Sequence, residues 1–102
     1  MRPRCAATLL ALIALTTANA QPTNLQIRSL AATCAACHGT DGHAVPGAGL
    51  VGLRGRDKAY LAAQLTAFRD GTRPSTVMQQ IAKGYTPAQL EQLAAYFAEA
   101  RP

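Results

Sequence analysis

Leu90, Leu93, Ala94 and Phe97 recur at i, i+3, i+4 and i+7, the period of one helix face turned toward a core. Thr86 stands before Pro87, and Gln89 follows three residues on, a T-x-x-Q capping box that predicts a final helix opening at Pro87. A second stripe comprises Tyr60, Leu61, Leu65 and Phe68. Asp57 precedes it as an N-cap and Gly71 follows as a stop, which bounds a helix at 58–70. All of this stripe except Tyr60 reads as core packing. Leu25, Ile27, Leu30 and Ala31 predict a first helix over 25–36, with Thr23 or Asn24 as cap, and a shorter helix is expected over 75–83, ending at Gly84. Between the first two helices, glycines at 39, 42, 47, 49, 52 and 55, with Pro46, make a long loop whose backbone can approach a flat ligand closely. No alternating strand pattern of useful length occurs. The expected fold class is all-α.

The first twenty residues follow another pattern. Arg2 and Arg4 form a basic start, an apolar run spans 6–17, and Ala18-Asn19-Ala20 fits an A-x-A cleavage site. This is the form of a secretory signal removed after Ala20, dividing the chain into 1–20 and a single small domain at 21–102. The run is short for a bilayer, so no stable membrane insertion is expected, and export places the domain in the periplasm. Cys5 leaves with the signal. The formal charge of the whole chain, +5, falls to about +3 once Arg2 and Arg4 are gone. With no basic run interleaved with aromatics, nucleic acid is not an expected partner. A domain of this size buries only a modest core and commonly needs a staple.

Cys34-Ala35-Ala36-Cys37-His38 supplies one. The C-x-x-C-H pentad is the attachment motif of a c-type haem: Cys34 and Cys37 each form a thioether to a vinyl group, and His38 sits beneath the iron as proximal ligand. A redox dithiol would need strands around the motif. A zinc site would need two more ligands, and only His43 lies nearby. One covalent haem c then uses both cysteines of the domain, and its attachment outside the cytoplasm agrees with export.

A second iron ligand has to come from elsewhere. Met1 leaves with the signal, so Met78 is the one methionine of the domain, placed where the chain can return to the open face of the haem. A thioether there favours ferrous iron and raises the reduction potential. His43 is the competitor, but it follows His38 by only five residues, too few to pass around the haem edge, and a solvated loop histidine is its expected role. Arg73 is placed to pair with a haem propionate, or else is a solvated surface arginine. Tyr60 either donates its hydroxyl to the same region or packs. Lys83 is a candidate for steering an acidic partner at the haem edge.

Cys34 to Gly42, the helix-rich middle and the downstream Met78 resemble a class I cytochrome c over essentially all of 21–102. Within that class, Arg73-Pro74-Ser75-Thr76-Val77-Met78 and Ala82-Lys83-Gly84-Tyr85-Thr86 are similar to the cytochrome subunit of flavocytochrome c sulfide dehydrogenase. The resemblance implies a small class I cytochrome c fold wrapped around one haem, with His38 and Met78 as axial pair and a sulfide-oxidising flavoprotein as partner. Class I relatives usually carry a proline in the loop after the pentad, and a carbonyl beside it accepts the ring N–H of the proximal histidine. Here proline occurs only at Pro46, so either that residue or another backbone carbonyl has to serve.

The implied function is one-electron transfer. With both axial positions filled, no site for substrate is left at the iron, and no serine, cysteine or carboxylate constellation suggests an enzyme. Three functional classes stay open: the haem subunit of a flavoenzyme, a separate periplasmic shuttle between a reductase and an oxidase, and a gas-binding haem protein in which Met78 is not a ligand.

Overall fold

The computed structural model describes residues 24–99. The expected signal, Cys5 and the Thr23 cap lie outside those residues. Five helices follow in order: α1 (Asn24–Ala32), α2 (Ala35–His38), α3 (Lys58–Asp70), α4 (Met78–Lys83) and α5 (Pro87–Glu99), with a 3-10 turn at Thr40–Gly42. No strand occurs among the described residues, and the domain is all-α as expected. α3 packs against both α4 and α5, and α1 packs against α5.

The local signals for α3 and α5 work as read. Asp57 Oδ1 accepts the Tyr60 N–H at 2.8 Å, and Gly71 ends α3 in the left-handed region at φ 79°, which glycine adopts without a Cβ penalty. At α5 both arms of the capping box close. The Thr86 N–H donates to Gln89 Oε1 at 2.9 Å, and the Gln89 N–H donates to Thr86 Oγ1 at 3.2 Å.

Two elements differ from expectation. The first helix does not run into the pentad: it stops at Ala32, and a separate turn of helix begins at Ala35. Thr33 Oγ1 donates back to the Leu30 carbonyl at 2.9 Å, and the Cys34 N–H bonds to the Ala31 carbonyl at 3.0 Å, tightening the last turn until the helix ends. The fourth helix starts at Met78, not at 75. Ser75 Oγ takes the Met78 N–H at 3.0 Å, so the serine acts ahead of the helix instead of within it.

The buried cluster consists of Ala31, Leu61, Leu93, Ala94 and Phe97, with Ile27, Leu30, Leu53 and Leu65 packed around it. Ala31 and Ala94 let α1 and α5 approach closely in this cluster. Gly42 does the same for the loop: a Cβ there would lie 2.9 Å from Arg54 N, Leu53 Cβ and Phe97 Cδ1, so only glycine lets the chain pass between α5 and the returning loop. This crossing holds the long loop over the end of the pentad.

Candidate haem site

The Cys34 carbonyl accepts the N–H groups of Cys37 at 3.3 Å and His38 at 2.9 Å, closing one turn of helix over the pentad. Residues at i, i+3 and i+4 share a helix face, so the three motif side chains stand side by side. Cys34 and Cys37 are both unbridged thiols. Burial pushes the Cys34 thiol above its ordinary pKa, and a contact with the Thr33 hydroxyl partly offsets this.

His38 is buried, 9 % exposed, and its Nδ1 lies 2.7 Å from the Val51 carbonyl oxygen. A carbonyl can only accept, so Nδ1 carries the ring proton and Nε2 keeps its lone pair for a metal. The ring is therefore held in the tautomer a proximal ligand needs. Val51 supplies the carbonyl, and Pro46 does not; Pro46 lies in a turn closed by the Ala48 N–H on the Val45 carbonyl at 3.1 Å.

Four hydrogen bonds place the segment after Val51. The N–H groups of Leu53 and Arg54 both reach the Gly42 carbonyl, at 2.9 and 3.2 Å, and the Gly55 N–H bonds to the Phe97 carbonyl at 2.8 Å. Arg56 Nε donates to the Gly52 carbonyl at 2.6 Å. On the other side of the pentad, Thr33 Oγ1 is 2.7 Å from the Tyr85 hydroxyl, tying the turn before Cys34 to the segment between α4 and α5. Tyr96 donates to Asp41 Oδ1. Asp41 is the only non-glycine residue with positive φ among those described, and the bond fixes it there, three residues past His38.

Met78 is half-buried at the first position of α4. His43 is exposed. Arg73 folds back on α3: its guanidinium carbon lies 4.6 Å from the Phe68 ring centroid, and Nη1 donates to Gln64 Oε1. Tyr60 is 47 % exposed, with the Arg56 guanidinium carbon 6.0 Å from its ring centroid. Lys83 is exposed in the last turn of α4. A groove along α3 lined by Ala59, Ala63, Thr66 and Ala67 includes none of the motif residues.

The apolar surface also fits a haem. Leu50 and Val51 in the long loop, and Val77 and Ile81 on either side of Met78, are large apolar side chains left 39–59 % exposed. The segments that carry them are those bearing the His38 partner and Met78. A porphyrin offers the flat apolar body such surfaces need, and the cysteines, the oriented imidazole and the thioether match its chemistry. The carbonyl of Val51 and the side chain of Arg56 had no motif to announce them. The one sequence clue was the missing later proline, which required some backbone group to take its place.

The sequence model of the cytochrome c family matches residues 27–100. A thiosulfate dehydrogenase electron acceptor of Thiomonas intermedia is 44 % identical over 72 residues, which is 71 % of this chain and 33 % of that protein. Cytochrome c-552 of Acidithiobacillus ferridurans is 48 % identical over 64 residues, 62 % of this chain and 26 % of its own length. The cytochrome subunit of sulfide dehydrogenase of Chlorobaculum tepidum is 40 % identical over 68 residues, 67 % of this chain and 60 % of that subunit. The match thus spans between about a quarter and three fifths of these relatives.

Proposed function

From the membership of this chain in the cytochrome c family, as an electron carrier with covalent haem c, we propose that it is a periplasmic acceptor for a dehydrogenase of reduced sulfur compounds. The donor we favour is a sulfide-oxidising flavoprotein. The observation that carries the site is the His38 ring, held by the Val51 carbonyl with Nε2 left for iron, one turn from two unbridged thiols. What supports sulfide is the likeness of the Arg73–Met78 and Ala82–Thr86 segments, together with the 40 % identity to a sulfide dehydrogenase cytochrome subunit.

When bound, the haem supplies a one-electron ferric–ferrous couple. The chain's own residues do the rest. Cys34 and Cys37 would tether the group by thioethers, and His38 Nε2 would hold its iron. Val51 keeps the proton at Nδ1 and so raises the basicity of the ring. Met78 sulfur would hold the iron from the other segment of the site, and a thioether there would oppose that effect by favouring the ferrous state. Leu50, Val51, Val77 and Ile81 would pack on the bound porphyrin and exclude water there. We assign Arg73 and Tyr60 to the propionate region. Residues 1–20 act as the export signal, and 21–102 are the mature domain. No helix among the described residues is long and apolar enough to cross a membrane.

The 44 % identity to a thiosulfate dehydrogenase acceptor favours a second reading, a separate carrier that docks transiently on that dehydrogenase. Purification of the native protein from its own cells distinguishes the two. Haem bands with a stoichiometric flavin place it in a flavocytochrome. Haem bands alone, in a fraction the size of one small chain, mean a separate carrier.

A further inference from the structure

The Val51 carbonyl has to stay aimed at His38 Nδ1, yet the Val51 side chain is 59 % exposed and packing does little to hold it. The next residue is Gly52, whose backbone turns more easily than any other. Rotation about the Val51–Gly52 peptide is the motion that would swing the carbonyl off the ring. A proline at the accepting residue would fix its own φ, and this chain has valine there.

We propose that Arg56 takes over that task as a positioning residue for the proximal histidine. Its Nε–H bonds to the Gly52 carbonyl at 2.6 Å, a charge-assisted bond one peptide along from the carbonyl that receives His38. The Leu53 N–H is fixed on the Gly42 carbonyl at 2.9 Å, so the peptide following Gly52 is held at both its oxygen and its nitrogen. One side of the Gly52 hinge is thereby fixed. The Tyr60 ring, 6.0 Å from the guanidinium carbon, steadies the other end of Arg56. A firm Nδ1–H bond makes the imidazole a better donor and favours ferric iron, so slackening it raises the reduction potential.

The inference rests on His38 as iron ligand, and the two fail separately. Wild-type holoprotein lacking a histidine-ligated haem spectrum would remove the ligand assignment; the variants below address Arg56. Arg56→Lys keeps the charge and places a methylene where Nε–H stands. Arg56 is exposed, so the change leaves the core intact. The readouts are the midpoint potential and the solvent exchange of the His38 Nδ1–H in the ferrous holoprotein by NMR. Arg56→Lys is expected to raise the potential and to speed exchange roughly five- to tenfold, the factor one lost hydrogen bond is worth. Adding Gly52→Ala, whose Cβ meets nothing nearer than 3.4 Å and which restricts φ at the hinge itself, is expected to restore both. The control Arg69→Lys, in the last turn of α3, should change neither. Unchanged potential and exchange in Arg56→Lys would overturn the proposal. So would a lowered potential in Arg56→Gln with no effect of Arg56→Lys, because Arg56 would then act only as a nearby cation.

Discussion

Met78 and Val51 show the two ways a single residue can matter here. Met78 is proposed to act through its side chain, and the sequence points to it because residues 21–102 hold one methionine and a haem needs a distal ligand. Val51 acts through its carbonyl, which every residue possesses, so nothing in its identity pointed to it. Replacing Met78 with alanine is expected to open the distal position. The potential should fall by on the order of 100 mV, within the roughly 0.8 V span over which axial ligands set haem potentials. The reduced variant should also bind carbon monoxide, read as a shift of its main absorption band. Tyr96 gives a prediction of a different kind. Its hydroxyl donates to Asp41, and that bond, with burial and the aspartate charge adding to it, raises its pKa above the ordinary tyrosine value of 10.0. A raised acid favours the protonated folded state, so its contribution is complete below pH ~10 and is lost as pH climbs through the folded value. Wild-type Tm should therefore drop over that alkaline window. Tyr96→Phe should start lower and lose less across it.

Helix ends decided which elements could be read. α3 and α5 carry explicit caps, and the bonds those caps imply are all present. Removing one arm by Thr86→Ala should cost about 1 kcal/mol, measured by denaturant unfolding of the holoprotein, with no change in the haem spectrum. The ends of α1 and α4 were misplaced for a shared reason: Thr33 and Ser75 spend their hydroxyls on nearby backbone groups. A hydroxyl can cap, back-bond or face water at the same sequence position, and tertiary surroundings choose among these. The consequence for the site is useful. The break at Thr33 separates the helical turn of the pentad from α1, and the Thr33–Tyr85 contact ties that break to the chain beyond α4.

Across the whole domain the apolar core is thin. Three of the seven buried apolar residues among those described are alanines, while Leu50, Val51, Val77 and Ile81 stand open to solvent. A polypeptide so arranged depends on its haem for much of its apolar contact. Cys34→Ala with Cys37→Ala, which prevents covalent attachment, should lose most of its far-UV helical signal at 37 °C, whereas the holoprotein keeps it. The family, the all-α class and the haem were legible because a five-residue motif and a helical period are local properties of the chain. The loop that orients His38 was not, since it is built from contacts between Gly42, Phe97 and residues distant from them in sequence. The central expectation is an iron held by His38 and Met78, and a proton NMR spectrum of the ferrous holoprotein tests it. A methionine methyl resonance shifted far upfield by the porphyrin ring, lost in Met78→Ala, is the result expected. A spectrum with no such methyl, in a protein whose reduced haem binds carbon monoxide, would contradict it.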